Sequence, residues 1–327
     1  MKAVIVTESG GPEVLQLQDV PDPQAQHGEV RVKVMATAVN RADLIQRKGN
    51  YPAPPGTVAN ILGLEFAGVV IDVGEGVFGM KPGDRVFGLV PGGSYAEFVV
   101  VNHRTLARIP DNLTFVEAAA VPEAFVTAYD AMVSQGNLKS GEWVLIHAVG
   151  SGVGTAAVQI CRALGARCIG TSRTKDKVDR AMELGLHRGI VMEKGDFAAE
   201  VKTIVGAQGV NLVLELIGGN YVAEDLECIA DQGRIILVGL LAGAKVDMNL
   251  GAILRKRVLL KGTTLRARPL EEKIVAGQLL ANNIVPLLES GQLKPIIDKT
   301  FPLADAAKAH EYVEKNDSFG KVVLTLE

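Results

Sequence analysis

The run Val144-Leu145-Ile146-His147-Ala148-Val149-Gly150-Ser151-Gly152-Val153-Gly154 holds the residues best suited to chemistry. A strand-like apolar stretch enters a glycine-rich turn, and an apolar helical pattern follows directly from Thr155. Glycines let backbone come close to a pyrophosphate, and a helix N-terminus favours its negative charge. Ser151, Gly152, Val153 and Gly154 are therefore candidate cofactor-binding residues. The G-x-G-x-x-G spacing is not met, because position 155 is Thr, and a plain βα turn would read much the same. Its weight comes from standing at the head of a long α/β pattern. An NAD-binding unit would place an acid about 20 residues further on, to hold the ribose 2′-hydroxyl. None stands there. Ser172, Arg173, Lys175 and Lys177 cluster at that place instead, and the nearest acid is Asp176. A cationic, hydroxyl-bearing pocket suits a 2′-phosphate, so NADPH is the expected cofactor. Lys175 reads equally well as part of a solvated helix start.

Elements that could position these groups follow from periodicity. Positions 29–36 alternate Val30, Val32 and Val34 with Arg31 and Lys33, the period of a half-buried strand. Further short β runs at 67–73, 84–89 and 95–101 are separated by glycine and proline turns, which predicts a small β barrel or sandwich. Thr114 and Glu117 form a capping box that opens a helix. From Trp143 onward, apolar runs at 143–149, 167–171, 188–192, 210–217 and 234–241 alternate with helical patterns at 152–164, 175–184, 197–205 and 220–230. Runs with few polar interruptions suit strands covered on both faces, and this order predicts a parallel, doubly wound sheet. The tail predicts helices near 270–289 and 303–315 and a last strand at 321–326, which returns to the first module for sheet partners.

Composition narrows the function classes. With 327 residues, 48% hydrophobic and 22% charged, the chain is an ordinary globular sequence, long enough for two cores. The net charge of −3 argues against nucleic acid as a partner. No apolar run approaches the length of a membrane span, and the N-terminal MKAVIVTESG reads as a strand rather than a signal peptide. Three cysteines (Cys161, Cys168, Cys228) without a C-x-x-C pair suit a reducing, cytoplasmic setting. The five histidines (His27, His103, His147, His187, His310) show no clustered ligand spacing, and His147 reads as a packed, hydrogen-bonded histidine at a strand end.

Several segments together resemble the medium-chain dehydrogenase/reductase superfamily, in its zinc-free NADPH:quinone oxidoreductase (zeta-crystallin-like) branch and especially the stress-inducible members. They are GGPEVLQL at 10–17, VNRADLIQRKGNY at 39–51, GLEFAGVV at 63–70, GDRVFGL at 83–89, AAAVPEAFVTAYDA at 118–131, LIHAVGSGVGTAAVQ at 145–159 and GKVVL at 320–324. VNRAD, and PEA followed by TA, are specific to this branch; the glycine loop is not. The resemblance spans essentially the whole chain. It implies an α/β fold in which a Rossmann sheet accompanies a GroES-like β-rich catalytic domain. The boundaries would be 1–120 catalytic, 121–265 Rossmann, and 266–327 returning to the catalytic domain. Two departures stand out. Ser151 replaces the usual middle glycine of the loop, and Met192 stands where many relatives carry a tyrosine near the adenine.

Zinc-dependent members of the superfamily supply Cys, then His-Glu, then another Cys or Asp. The corresponding regions here hold Asn40, Leu64 with Glu65, and Glu123, and the four-cysteine lobe is missing. Amide and leucine cannot replace thiolate and imidazole around zinc, so metal-bound alkoxide chemistry is disfavoured. The resemblance assigns the acceptor side to Asn40, Asp43 and Tyr51, with Asn40 and Tyr51 as hydrogen-bond donors. Asp43 reads better as a helix-start carboxylate or an ion-pair partner of Arg41 or Arg47. Thr127 is placed under the nicotinamide, and Val238 and Gly239 near the carboxamide. The expected activity is hydride transfer from NADPH to a quinone, by a homodimer paired through the edge segment at 257–262. Reduction of alkenals or enones is the alternative. A crystallin-like structural or RNA-binding role is a third possibility, disfavoured by the intact loop and the acidic balance.

Overall fold

The computed structural model describes residues 1–192 and 196–326. The chain forms two compact units, one of residues 1–126 with 265–327 and the other of residues 127–264.

The first unit is β-rich. It contains β1 (Lys2–Val6), β2 (Leu15–Asp19), β3 (Glu29–Val39), β4 (Glu65–Val73), β5 (Arg85–Leu89), β6 (Phe98–Asn102) and β7 (Leu106–Arg108). Two strands from the tail join it, which the element order numbers β14 (Ile297–Pro302) and β15 (Lys321–Thr325). β1 and β2 pair with each other, while the larger sheet runs β14-β15-β3-β4-β5-β7, with β6 also on β3. The alternation read at 29–36 is the inner face of β3, where Val30, Val32 and Val34 pack with Phe66, Val70 and Val86. β15 lies antiparallel to β3 with Val322 opposite Val39, which brings Lys321 beside Asn40 although the two are 281 residues apart.

The second unit has β8 (Trp143–Ile146), β9 (Arg167–Ser172), β10 (Arg188–Val191), β11 (Val210–Glu215), β12 (Ile229–Leu237) and β13 (Leu259–Gly262). Every pair is parallel, in the order β10-β9-β8-β11-β12-β13. This is the doubly wound Rossmann arrangement, and its strand order reverses between β8 and β11, where ligands bind in such sheets. Val144, Leu145 and Ile146 are fully buried, as expected for a strand covered on both faces.

Two elements differ from the sequence reading. The fifth strand of this sheet begins at Ile229 and ends at Leu237, so residues 238–240 lie beyond it and a turn starts at Leu241. The helix expected over 270–289 is three pieces, Leu270–Leu279, a π turn at Leu280–Ile284, and Val285–Glu289. Pro286 explains the break, since it lacks an N–H and its ring crowds the preceding turn.

Candidate active site

The glycine loop follows β8. Ala148 takes φ 47°, a left-handed conformation costly for a residue with a Cβ and the kind of strain that collects at functional loops. Val149 N–H donates to the Thr171 carbonyl at 2.9 Å, tying the loop to β9. Ser151 is the N-cap of the helix Gly152–Ala163, and its Oγ accepts from Gly154 N–H at 3.0 Å. Gly154 must be glycine here, because a Cβ would fall 2.5 Å from the Ala148 carbonyl oxygen. The Ser151 cap satisfies one of the orphan N–H groups of the helix start, and the first-turn N–H groups of Gly152 and Val153 have no intrahelical partner. The departure from a middle glycine is thus a capping hydroxyl.

Beyond the loop, β9 ends at Ser172, which is buried. Arg173 is exposed, and its charge is felt by the Tyr221 hydroxyl. Lys177 lies with its stem against Gly150, where a Cβ would come within 2.9 Å of its Cδ. Lys175 pairs with Asp179 at 2.6 Å along the exposed helix, the solvated role foreseen for it. Met192 is half-buried and packs against the core around Leu145, Ile169 and Phe197. Thr127 is buried in the helix Pro122–Tyr129. Val238 and Gly239 both direct their N–H groups to the Glu215 carbonyl, at 2.8 and 3.3 Å. Both N–H groups are therefore engaged at the end of the sheet.

Beneath the loop sits a buried cluster that the sequence reading missed in part. His147 donates or accepts at Thr171 Oγ1 (2.9 Å) and Asp225 Oδ1 (2.9 Å), with Glu215 Oε2 at 3.6 Å. All three acid and imidazole side chains have no exposed surface. Burial pushes both carboxyls up to about 8, and burial pushes His147 down to about 4, so the imidazole is neutral and both carboxyls favour their protonated forms. Glu215 Oε1 also accepts the N–H groups of Ile217 and Gly218. The cluster fastens the ends of β8, β9 and β11 and the helix Tyr221–Cys228 at the switch point. His147 as a packed histidine was legible; its partners, 24 to 78 residues away, were not.

The catalytic unit holds a second polar cluster. Asn40 precedes the helix Arg41–Arg47, and Asp43 accepts the N–H groups of Asn40 (2.8 Å) and Gly63 (3.0 Å). That is the helix-start role foreseen for Asp43; Arg47 pairs with Glu314, and Arg41 with Asn316. Burial raises Asp43 to about 6 against the pull of those N–H groups. Asn40 differs from the expectation of a donor to the acceptor. Its amide nitrogen donates to Glu65 Oε1 at 2.8 Å and to the Ala38 carbonyl at 3.3 Å, and its oxygen accepts from Lys321. Both amide hydrogens are engaged, so Asn40 orients the cluster. Lys321 Nζ lies 2.7 Å from Glu65 Oε1, and the Glu123 N–H donates to Glu65 Oε2 at 2.7 Å. Burial and the nearby Glu65 push the Glu123 carboxyl up to about 8. Tyr51 is half-buried under the Arg266 guanidinium, which stands 5.0 Å over its ring. Lys321, Glu123 and Arg266 had no motif of their own beyond GKVVL, PEA and a tail arginine.

Zinc does not fit this cluster. Asn40 and Leu64 offer no metal-binding atom of the needed kind, and the ammonium of Lys321 already answers Glu65. The one converging set of His, Cys, Asp or Glu ligand atoms among the described residues is His147, Glu215 and Asp225, whose imidazole nitrogens are both engaged in hydrogen bonds.

Residues 152–281 match the family described as zinc-binding dehydrogenase, and residues 26–111 match the alcohol dehydrogenase GroES-like domain. The chain is 35% identical over 331 residues to the quinone oxidoreductase of Lama guanicoe, covering all of this chain and 98% of the relative. Among solved structures it is similar to an Escherichia coli quinone oxidoreductase in complex with NADPH (30% identity, TM-score 0.89, full coverage of both chains). It is also similar to the JamJ enoyl reductase (25% identity, TM-score 0.90, covering all of this chain and 99% of that one).

Proposed function

The chain belongs to the quinone oxidoreductase family of medium-chain dehydrogenases/reductases, and on that premise we propose that it reduces quinones with NADPH and without zinc. The observation that carries the proposal is a full-length match to quinone oxidoreductases together with a capped glycine loop at a Rossmann switch point. When bound, NADPH supplies the hydride. The N–H groups of Gly152 and Val153, with the Ser151 hydroxyl, hold the pyrophosphate. Ser172, Arg173 and Lys177 hold the 2′-phosphate. Thr127, Val238 and Gly239 border the nicotinamide, as the family resemblance assigns them. Tyr51 forms a wall of the acceptor site, and Asn40 fixes the polar groups behind it.

Zinc independence is supported by the donor chemistry of Asn40, Leu64 and Lys321. Steady-state oxidation of NADPH with a panel of quinones and enones, with and without a chelator, tests the whole reading. Quinone turnover insensitive to the chelator is expected; chelator-sensitive turnover with stoichiometric zinc would overturn it. The likeness to an enoyl reductase supports the second reading, reduction of activated double bonds, and a higher kcat/KM for enones would favour it.

A homodimer is proposed as well. β13 is paired on one side by β12, and Leu240, Leu241, Leu250, Leu254 and Leu259 are exposed on the same stretch of chain. Unpaired edges and apolar patches both call for cover. A monomeric mass by light scattering would count against it. Among the described residues no helix is long and apolar enough to cross a membrane. The three cysteines are free and buried, which supports a reducing, cytoplasmic setting.

A further inference from the structure

We propose that Arg266 and Glu123 together receive the acceptor's oxygen, Arg266 through its Nη1 group as the donor that holds the oxygen while charge develops, and Glu123 as the acid that protonates it. This rests on the quinone-reductase reading.

Arg266 is 7% exposed. Its Nε donates to the Pro91 carbonyl at 2.7 Å and its Nη2 to Gln46 Oε1 at 2.6 Å, which fixes the guanidinium plane. The remaining nitrogen, Nη1, is buried and has no hydrogen-bond partner. A buried cationic donor left unpaired costs free energy. A donor held rigid by two bonds and left open on the third is what stabilising a developing oxyanion needs. The guanidinium covers one side of the Tyr51 ring, so it borders the acceptor wall.

Glu123 supplies the other half. It stands in the first turn of the helix Pro122–Tyr129, and its charge interacts with that of Arg266. The groups facing it are Glu65 from β4, Lys321 from β15, Asp43 from the helix Arg41–Arg47, and Arg266. Glu65 is answered by Lys321 and Asn40, and Asp43 by two backbone N–H groups. No described residue is seen to hydrogen-bond the Glu123 carboxyl, and the residue as a whole is half-buried. Held at about 8, it carries a proton at neutral pH and can release it.

The step balances without a further reactant. A quinone that has taken the hydride is a hydroquinone monoanion, with the electron pair on the oxygen that faces Arg266. The O–H bond of Glu123 breaks and a new O–H bond forms on that oxygen. Glu123 is left as a carboxylate and regains its proton from solvent.

Two measurements test the pair. On the cofactor-free protein, 4-nitrophenol serves as a redox-inert stand-in, because its visible absorbance reports whether it is bound as phenolate. Wild-type protein is expected to bind the phenolate, and Arg266→Gln to bind it at least tenfold more weakly. Should Arg266→Gln fail to fold, Arg266→Lys must show the loss, since a lysine cannot keep both anchoring bonds and the third donor. Equal binding by a folded variant would overturn the role of Arg266. In turnover, wild-type kcat/KM for a quinone is expected to fall as pH rises through about 8. Glu123→Gln should lose that alkaline limb and roughly 10- to 100-fold of the plateau, near the low end of acid catalysis, with the NADPH dissociation constant unchanged. An unchanged alkaline limb would overturn the role of Glu123. A wild-type protein that reduces no quinone would overturn the functional reading, and the nitrophenol measurement would still decide Arg266.

Discussion

The two units bury carboxylates in opposite ways. In the catalytic unit, Glu65, Asp43 and Glu123 share their interior with two cations, Lys321 and Arg266, and one guanidinium nitrogen is left open. In the Rossmann unit, Glu215 and Asp225 share theirs with a neutral histidine, and the positive groups Arg173 and Lys175 stand outside at the end of β9. A buried cation network is suited to meeting a charge that comes and goes. A network of neutral groups without a cation is suited to holding elements in place. The proposed function gives acceptor chemistry to one unit and cofactor grip to the surface of the other.

The largest test of that contrast is Lys321→Met. It leaves Glu65, which has no exposed surface, without its cation. Removing one partner of a buried pair costs about 3–5 kcal/mol, so a large drop in denaturation midpoint is expected. A change below about 1 kcal/mol would mean that the catalytic unit's cation is not structural.

Arg173→Ala probes the opposite case, an exposed cation. Stability should not move. NADPH binding should weaken by roughly tenfold to 150-fold, since a charge-assisted contact is worth about 1.5–3 kcal/mol. NADH binding should stay nearly unchanged, because NADH has no 2′-phosphate. Equal loss for both cofactors in a binding titration would make Arg173 a structural residue, and Lys177 with Ser172 would take its place.

His147→Leu asks whether the Rossmann cluster is only a fastening. The variant fills the space but leaves Thr171 and Asp225 without their partner, at a cost of about 1–3 kcal/mol. The NADPH:NADH preference should be unchanged. A shifted preference would show that the cluster sets the loop's chemistry as well as its position.

These contrasts also mark how far the sequence could be read. The alternation around Val30, the apolar run at 143–149 and the glycine loop are local patterns, and each became an element of the predicted kind, the run's strand stopping at Ile146. The Ser151 substitution was visible, but its role as a cap needs the geometry of Gly154. Lys321 meets Asn40 only because β15 returns to β3, a pairing that no local pattern encodes. The same holds for His147 with Asp225, and for Arg266, whose anchors lie at Pro91 and Gln46. Asn40 shows the cost of this: its residue type suits a donor to substrate, and only its neighbours reveal that both amide hydrogens are engaged.

The smallest expected effect compares the two clusters through pH. Burial, aided by Glu65, raises Glu123 to about 8 in the folded chain, well above the ordinary carboxyl range it regains on unfolding. The folded state therefore binds more protons than the unfolded state between those two values. Its contribution to stability is full below the unfolded value and is lost as pH rises through about 8. Asp225, raised by burial, acts in the same direction, while His147, lowered to about 4 by burial, acts oppositely at acid pH. The wild-type profile is a sum, so the informative quantity is the difference between wild type and Glu123→Gln. That difference should be near zero below the ordinary carboxyl range, should favour the variant increasingly as pH rises from there, and should level off above about 8. Because the residue is only half-buried, a gap of about 1 kcal/mol, or about 2–4 °C in melting temperature, is expected on the alkaline side. Asp225→Asn should open a gap over a similar window without touching quinone turnover, whereas Glu123→Gln should change both. If the two variants behaved alike in turnover, the division between a reactive and a fastening cluster would fall.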